Sequence, residues 1–214
     1  MKDLIYLIII ILPIIAYSYS KYIYSKYKKE IKDTSSFTVV RNLLDENKLD
    51  DVHVVKIATL LPSHFDTKRK VIRLTDEAFD NNNLTAITIA THECSHALLY
   101  KDSIYNKILS FLFPIFDLIC KFCYPVLFIS ILILDKVILE LSVMLILCVI
   151  LYQMISYVNE QKASNNAYNI LKNIYEEDAD KINEILLITN FTFLTLPVKY
   201  LIDYMNIIVK KIKG

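Results

Sequence analysis

A 214-residue chain that is 55% hydrophobic, with a mean hydropathy of +0.39 and its one glycine at the last position, is too apolar for an ordinary soluble domain, so membrane segments come first in its reading. Basic and acidic residues nearly cancel, 24 against 23 for a net charge of +1, which removes any global electrostatic case for nucleic acid, and no nucleic-acid-binding motif is present. Four cysteines, one inside a histidine motif and three in apolar stretches, do not form the pattern of a disulfide framework.

Residues 4–19 are almost wholly apolar, and Tyr17, Tyr19, Tyr22 and Tyr24 suit an interfacial belt. A signal peptide cleaved near Ala16-Tyr17-Ser18 is the rival reading. Against it, Lys21, Lys26, Lys28, Lys29 and Lys32 follow at once, and such a run resists translocation. Residues 1–20 therefore read as an uncleaved transmembrane anchor that leaves residues 21–107 in the cytoplasm. Residues 35–48 predict a short helix with Phe37, Val40, Leu43 and Leu44 on one face. Residues 51–58 and 70–75 predict strands, with Pro62-Ser63-His64-Phe65-Asp66 as a turn-like connection. A small hairpin or sheet follows from this, whose edge could hold an extended substrate by main-chain pairing. A purely structural hairpin is the equal alternative.

The most informative stretch is His92-Glu93-Cys94-Ser95-His96, an H-E-x-x-H pattern. Residues four apart share a helix face, so both imidazoles can reach one ion, and Glu93 can lean toward an open coordination position. Asn83 is the expected N-cap of this helix, and Ala86, Ile89, Ala90, Ala97 and Leu98 its apolar face.

Residues 108–158 predict a transmembrane hairpin: two apolar spans broken at Asp135-Lys136, which leaves one membrane face and returns to it. Asp117 and Lys121, four apart in the first span, are a predicted pair. Glu140 reads as solvated near the far interface. Cys120 and Cys123, a lone C-x-x-C, read as small apolar membrane residues. Residues 159–184 predict a further helix. Residues 185–214 form a C-terminal membrane-associated segment interrupted by Pro197, Lys199 and Asp203. If it crossed the membrane, Lys210, Lys211 and Lys213 would end outside, against the positive-inside tendency.

Catalytic zinc usually takes three protein ligands and keeps one position for water. No histidine follows His96, and His53 and His64 lie upstream, so a carboxylate from a second helix is expected. Glu160 and Glu176 are the candidates, with Asp102 a weaker third. The hairpin returns Glu160 to the membrane face that the histidine helix left, and Glu160 stands alone, whereas Glu176 sits in a charge run of the kind that is usually solvated. These features favour Glu160 and leave Glu176 open.

Four segments carry a resemblance: Ser36-Phe-Thr-Val-Val-Arg-Asn-Leu-Leu44, Pro62-Ser-His-Phe-Asp through Val71-Ile-Arg-Leu-Thr75, Ala86 through His96 to Ala97, and Glu160-Gln-Lys-Ala-Ser-Asn-Asn-Ala167. Together they are similar to the neutral zinc metallopeptidase family of bacterial integral-membrane proteins, over most of the chain. The resemblance implies a membrane-bound, gluzincin-like peptidase and supports Glu160. Glu176-Glu-Asp-Ala179-Asp180 in turn resembles the E-x-x-A-D of other membrane proteases. The chain departs from the family where Ser95 replaces the glycine of H-E-x-G-H, where Asn165-Asn166 replaces an arginine pair, and where Leu99 or a neighbour replaces a glutamine.

The expectation is a mainly α membrane protein, with transmembrane helices plus a small α+β zincin-like catalytic part. It would be a zinc metalloendopeptidase with one Zn²⁺ on His92, His96 and Glu160 and with Glu93 as general base. Its partners would be a peptide or protein substrate, membrane proteins among them, and the lipid bilayer, with no nucleic acid. Its place would be the bacterial plasma membrane, with the active site on the cytoplasmic side. The alternative from another class is a non-catalytic zinc-binding membrane scaffold or regulator.

Overall fold

The structure, a computed structural model, describes residues 2–57, 62–100 and 104–213. Its elements are α1 (Lys2–Tyr27), α2 (Ser36–Glu46), β1 (His53–Ile57), β2 (His64–Asp66), β3 (Val71–Thr75), α3 (Leu84–Leu98), α4 (Ile104–Ile133), α5 (Lys136–Ile174), a 3₁₀ turn (Glu176–Asp178), α6 (Ala179–Thr189) and α7 (Thr192–Lys213). Among the described residues the chain is mostly helical, with one small sheet and three helices long and apolar enough to cross a membrane, within α1, α4 and α5. At 1.5 Å per residue the 30-residue α4 spans about 45 Å, more than a bilayer core needs. Contacts divide the chain into two compact units, Met1–Ser18 with Ile104–Ser156 and Phe191–Gly214, and Tyr19–Ser103 with Tyr157–Asn190.

The first unit keeps its large apolar side chains outside: Leu4, Phe111, Phe128, Met144 and Met154 are exposed, as lipid-facing residues are. Inside it, the Phe116 and Tyr152 rings stack at 4.1 Å between centroids and Phe193 meets both edge-on. Cys123, Tyr124, Leu127, Ile146 and Val198 form a second buried cluster. Several polar groups here find partners, as an apolar medium favours, although the buried Asp203 Oδ2 has none among the described residues. The Tyr124 hydroxyl donates to the Ile10 carbonyl at 2.8 Å, and Gln153 Oε1 accepts from the Leu194 N–H at 3.0 Å. Asp117 and Lys121 pair at 2.6 Å as expected, and the Tyr200 hydroxyl donates to the second Asp117 oxygen. α4 ends with Leu134 at φ 55°, and Asp135 Oδ1 then caps α5 by accepting from the Ile138 N–H at 2.9 Å.

The second unit holds the sheet, of order β1-β3-β2. Sequence reading had Pro62–Asp66 as a turn, but His64–Asp66 is a strand antiparallel to β3, and β1 runs parallel to β3. The tight turn lies one step later. Asp66 Oδ1 accepts from the Lys68 and Arg69 N–H groups, and Lys70 has φ 52°. The core joins Ile72 and Leu74 of β3, Val39, Val40, Leu43 and Leu44 of α2, Leu84, Ile87, Ala90 and Cys94 of α3, and Ile182, Ile185 and Leu186 of α6. Phe37, expected on the buried stripe of α2, is half-buried and Val39 takes its place. Ile87 is fully buried on the motif helix itself. Ile87→Ala therefore destabilises the protein by about 2–5 kcal/mol, read as a lower thermal-unfolding midpoint in detergent; an unchanged midpoint would place Ile87 outside the core.

The segment expected as a separate helix from residue 159 is the continuation of α5, which runs unbroken to Ile174. The apolar stretch from residue 185 is broken at Asn190 and Phe191 into α6 and α7, while α7 runs through Pro197. The pair has the composition of one broken span.

Candidate metal centre

The side chains of interest lie on α3 and on the part of α5 beyond the membrane-length stretch, both in the second unit. α3 starts where sequence predicted: Asn83 is its N-cap, and its side chain accepts from the Ala86 N–H at 2.9 Å. One turn separates His92 from His96, whose rings stand nearly perpendicular at 4.8 Å between centroids, so that both Nε2 atoms point to one spot. Glu160 enters it from α5. His92 Nε2 lies 3.2 Å from Glu160 Oε2 and 3.2 Å from His96 Nε2, and His96 Nε2 lies 3.4 Å from Glu160 Oε2.

Those three edges carry a test of fit. A tetrahedral ion with bonds of about 2.0 Å holds its ligand atoms about 3.3 Å apart, because the edge of a tetrahedron is about 1.6 times its centre-to-corner distance. Two nitrogens and one oxygen already stand at that spacing, and two imidazoles with one carboxylate are a zinc donor set. His92 and Glu160 are almost fully buried, while the His96 side chain keeps 15% of its surface, so the cluster opens to solvent on the His96 side.

The electrostatics agree. Burial holds His92 below the ordinary histidine value despite the facing Glu160 carboxylate. Burial also pulls His96 down, but the Glu160 charge and hydrogen bond, with the Glu93 charge, outweigh it and carry the group up to about 9. A cluster with no cation thus retains a proton where positive charge is wanted. Glu93 is buried beside the cluster and burial pushes its carboxyl up to about 8; the His96 charge and a main-chain hydrogen bond from Phe65 oppose that rise, and the Glu160 charge adds to it. Phe65 is the middle residue of β2, so the edge of β2 turned away from β3 faces Glu93.

The remaining sequence candidates lie elsewhere. Glu176 is exposed in the 3₁₀ turn, and the buried member of its acidic run is Asp178, held by Lys32 and Lys181. His53 opens β1 and is exposed. His64 shares the sheet face of Asp66 and Arg73, opposite the core face of Phe65, Ile72 and Leu74, and its Nδ1 lies 3.0 Å from the Pro62 carbonyl. Asp102 lies outside the described residues. Cys94 points into the core, where burial pushes its thiol up to about 12. A cleft of about 640 Å³ between α2 and the ends of α3 and α5 holds neither Glu93 nor any of the three donors, so it does not locate the chemistry.

Three contacts around the cluster carry no signal of their own in the sequence. Ser164, one turn after Glu160 on the same face of α5, lies with Oγ 3.0 Å from His92 Nδ1 and 2.7 Å from Asn190 Oδ1. The spacing of four from Glu160 places Ser164 on that face without naming its partners. Asn166 Nδ2 donates to Ser95 Oγ at 3.2 Å, so the serine that stands in the motif helix has a partner on the other donor-bearing helix.

Helices long and apolar enough to cross a membrane, together with an H-E-x-x-H helix faced by a carboxylate, define a class, that of proteins with membrane-length helices and a candidate metal site. The chain belongs to the family described as "Putative neutral zinc metallopeptidase", whose profile matches residues 3–211. It is similar to the protein named "Putative membrane protease YugP" of Bacillus subtilis (strain 168), with 26% identity over 196 residues, 89% of this chain and 86% of that protein. No solved structure matches it.

Proposed function

We propose that the protein is a membrane-bound zinc metalloendopeptidase of the bacterial plasma membrane, with one zinc ion held by His92, His96 and Glu160. The observation that carries this reading is the triangle of donor atoms at 3.2, 3.2 and 3.4 Å with the buried Glu93 beside it. When bound, zinc supplies a Lewis acid for the scissile carbonyl and an acidified water. Glu93 takes the proton of the attacking water and delivers it to the leaving amine. The Phe65 main-chain hydrogen bond keeps the Glu93 carboxylate turned toward the β2 edge. That edge lies beside the base, which supports binding of an extended peptide as an added strand. Lys21, Lys26, Lys28, Lys29 and Lys32 support a cytoplasmic site, since basic residues flanking a span favour that side. Substrates are then peptides or proteins at or near the bilayer.

Metal analysis of purified full-length protein, followed by peptide cleavage with and without a chelator, tests the reading. One zinc per chain, with cleavage lost on chelation and regained with zinc, is the expected result. Cleavage indifferent to chelator overturns it. Stoichiometric zinc without cleavage of any peptide or membrane protein tried points instead to a zinc-binding scaffold.

A further inference from the structure

Behind His92, on the side away from the donor cluster, lies a buried chain of hydrogen bonds through Ser164 to Asn190. We propose that Ser164 and Asn190 are positioning residues that set which ring nitrogen of His92 faces the cluster; this rests on the zinc reading above.

The argument is one of hydrogen counting. A serine hydroxyl has a single proton to donate. Ser164 Oγ stands 2.7 Å from Asn190 Oδ1 and 3.5 Å from the Leu186 carbonyl, and both of these can only accept. The proton is committed to that side. The lone pair of Oγ is what remains for His92 Nδ1, 3.0 Å away, so that nitrogen must carry the hydrogen. Nε2 is then the bare nitrogen, and it is Nε2 that lies 3.2 Å from both His96 Nε2 and Glu160 Oε2. With the opposite tautomer, a hydrogen would occupy the position of the lone pair that a metal needs.

Burial makes the arrangement consequential. His92, Ser164 and Asn190 are exposed by 1%, 4% and 4%, so bulk water does not stand in for a missing partner. The three residues come from α3, α5 and the C-terminal cap of α6, and α5 supplies both the donor Glu160 and the orienting Ser164 from one face. The second nitrogen of a ligand histidine is commonly held by a carboxylate or a carbonyl. Here a neutral hydroxyl does so, and its direction is set by the Asn190 amide that it donates to. Ser164 alone could either donate or accept; Asn190 removes the choice.

The test uses full-length protein in detergent, labelled with ¹⁵N-histidine, which gives only four side chains to resolve. In metal-free protein, long-range ¹H–¹⁵N correlation should show His92 with hydrogen on Nδ1. Ser164→Ala and Asn190→Leu should shift it toward hydrogen on Nε2, and Asn190→Asp, which keeps the acceptor at nearly the same shape, should leave it as in the wild type. Zinc affinity, read by competition with a chromophoric chelator, should fall about 10–100-fold in Ser164→Ala, less in Asn190→Leu, and little in Asn190→Asp. Unchanged tautomer and affinity in Ser164→Ala overturn the proposal. If that variant does not fold, the Asn190 pair decides: equal behaviour of the Leu and Asp variants overturns it as well. A wild-type protein that binds no zinc overturns the metallopeptidase reading instead, while the metal-free tautomer still decides the relay.

Discussion

Glu93→Gln should bind zinc as the wild type does and lose peptide hydrolysis by about 10²–10⁴-fold, the range that a positioned general base supplies. Glutamine keeps the shape of the side chain and an oxygen that accepts from the Phe65 N–H, so the β2 edge and the donor triangle stay in place. What it lacks is a site that takes a proton. A companion effect on stability follows from the same burial. The folded carboxyl is held at about 8 against its ordinary 4.5, so between those values the metal-free folded chain binds more protons than the unfolded one. Stability contributed by a group of this sign is full below pH 4.5 and is lost as pH rises toward 8. Metal-free Glu93→Gln should therefore be more stable than the metal-free wild type at neutral pH, on the order of 3 kcal/mol, and indistinguishable from it near pH 4. Thermal unfolding in chelator at the two pH values measures this, and zinc titration with a cleavage assay measures the first effect. Full cleavage by Glu93→Gln would remove Glu93 from the mechanism.

Much of this was readable from residues because the signals are local. Asn83 before an apolar run marks a helix start in any context, and the four-residue spacing of His92 and His96 fixes their common face before any fold is known. Membrane-length apolar runs name their own environment. β2 was hidden because three residues, His64-Phe65-Asp66, are too few to show alternation, and its existence depends on pairing with β3. The parallel pairing of β1 with β3 is likewise a tertiary choice that a two-strand pattern read as a hairpin does not contain. α5 was divided in the sequence where its composition turns from apolar to polar at Asn159, but a helix ladder is indifferent to that change and continues into the second unit. Ser164 and Asn190 stand 26 positions apart, and Asn190 reaches Ser164 behind His92 only where α6 packs on α3. No periodicity announces such a meeting. The choice between Glu160 and Glu176 lay between these extremes: topology favoured one, and spacing alone left both.

That choice is the second large effect. Glu160→Ala should lower zinc affinity by more than about 100-fold, beyond the loss typical of a partner that only orients a ligand, while Glu176→Ala should leave affinity and cleavage at wild-type levels. Among the described residues Glu160 is the one acid whose oxygen stands within 3.4 Å of both imidazoles, and it is buried; Glu176 is exposed on a single 3₁₀ turn. Truncation to alanine also opens a gap between α3 and α5, so Glu160→Gln is the sharper variant: it keeps the volume and a hydrogen-bonding oxygen and removes only the charge. If Glu160 is a ligand, the amide should bind zinc far more weakly than the carboxylate although the fold is retained. The metal-free protein gives an independent reading of the same contact. His96 is carried up to about 9 against the pull of burial first of all by the Glu160 charge and hydrogen bond. With Gln at position 160 that support goes, burial prevails, and the His96 titration should move to well below 9, which the same four-histidine spectra would record. A Glu176 variant that loses zinc while the Glu160 variants keep it would move the third ligand to the acidic turn and dissolve the triangle on which the metal reading stands.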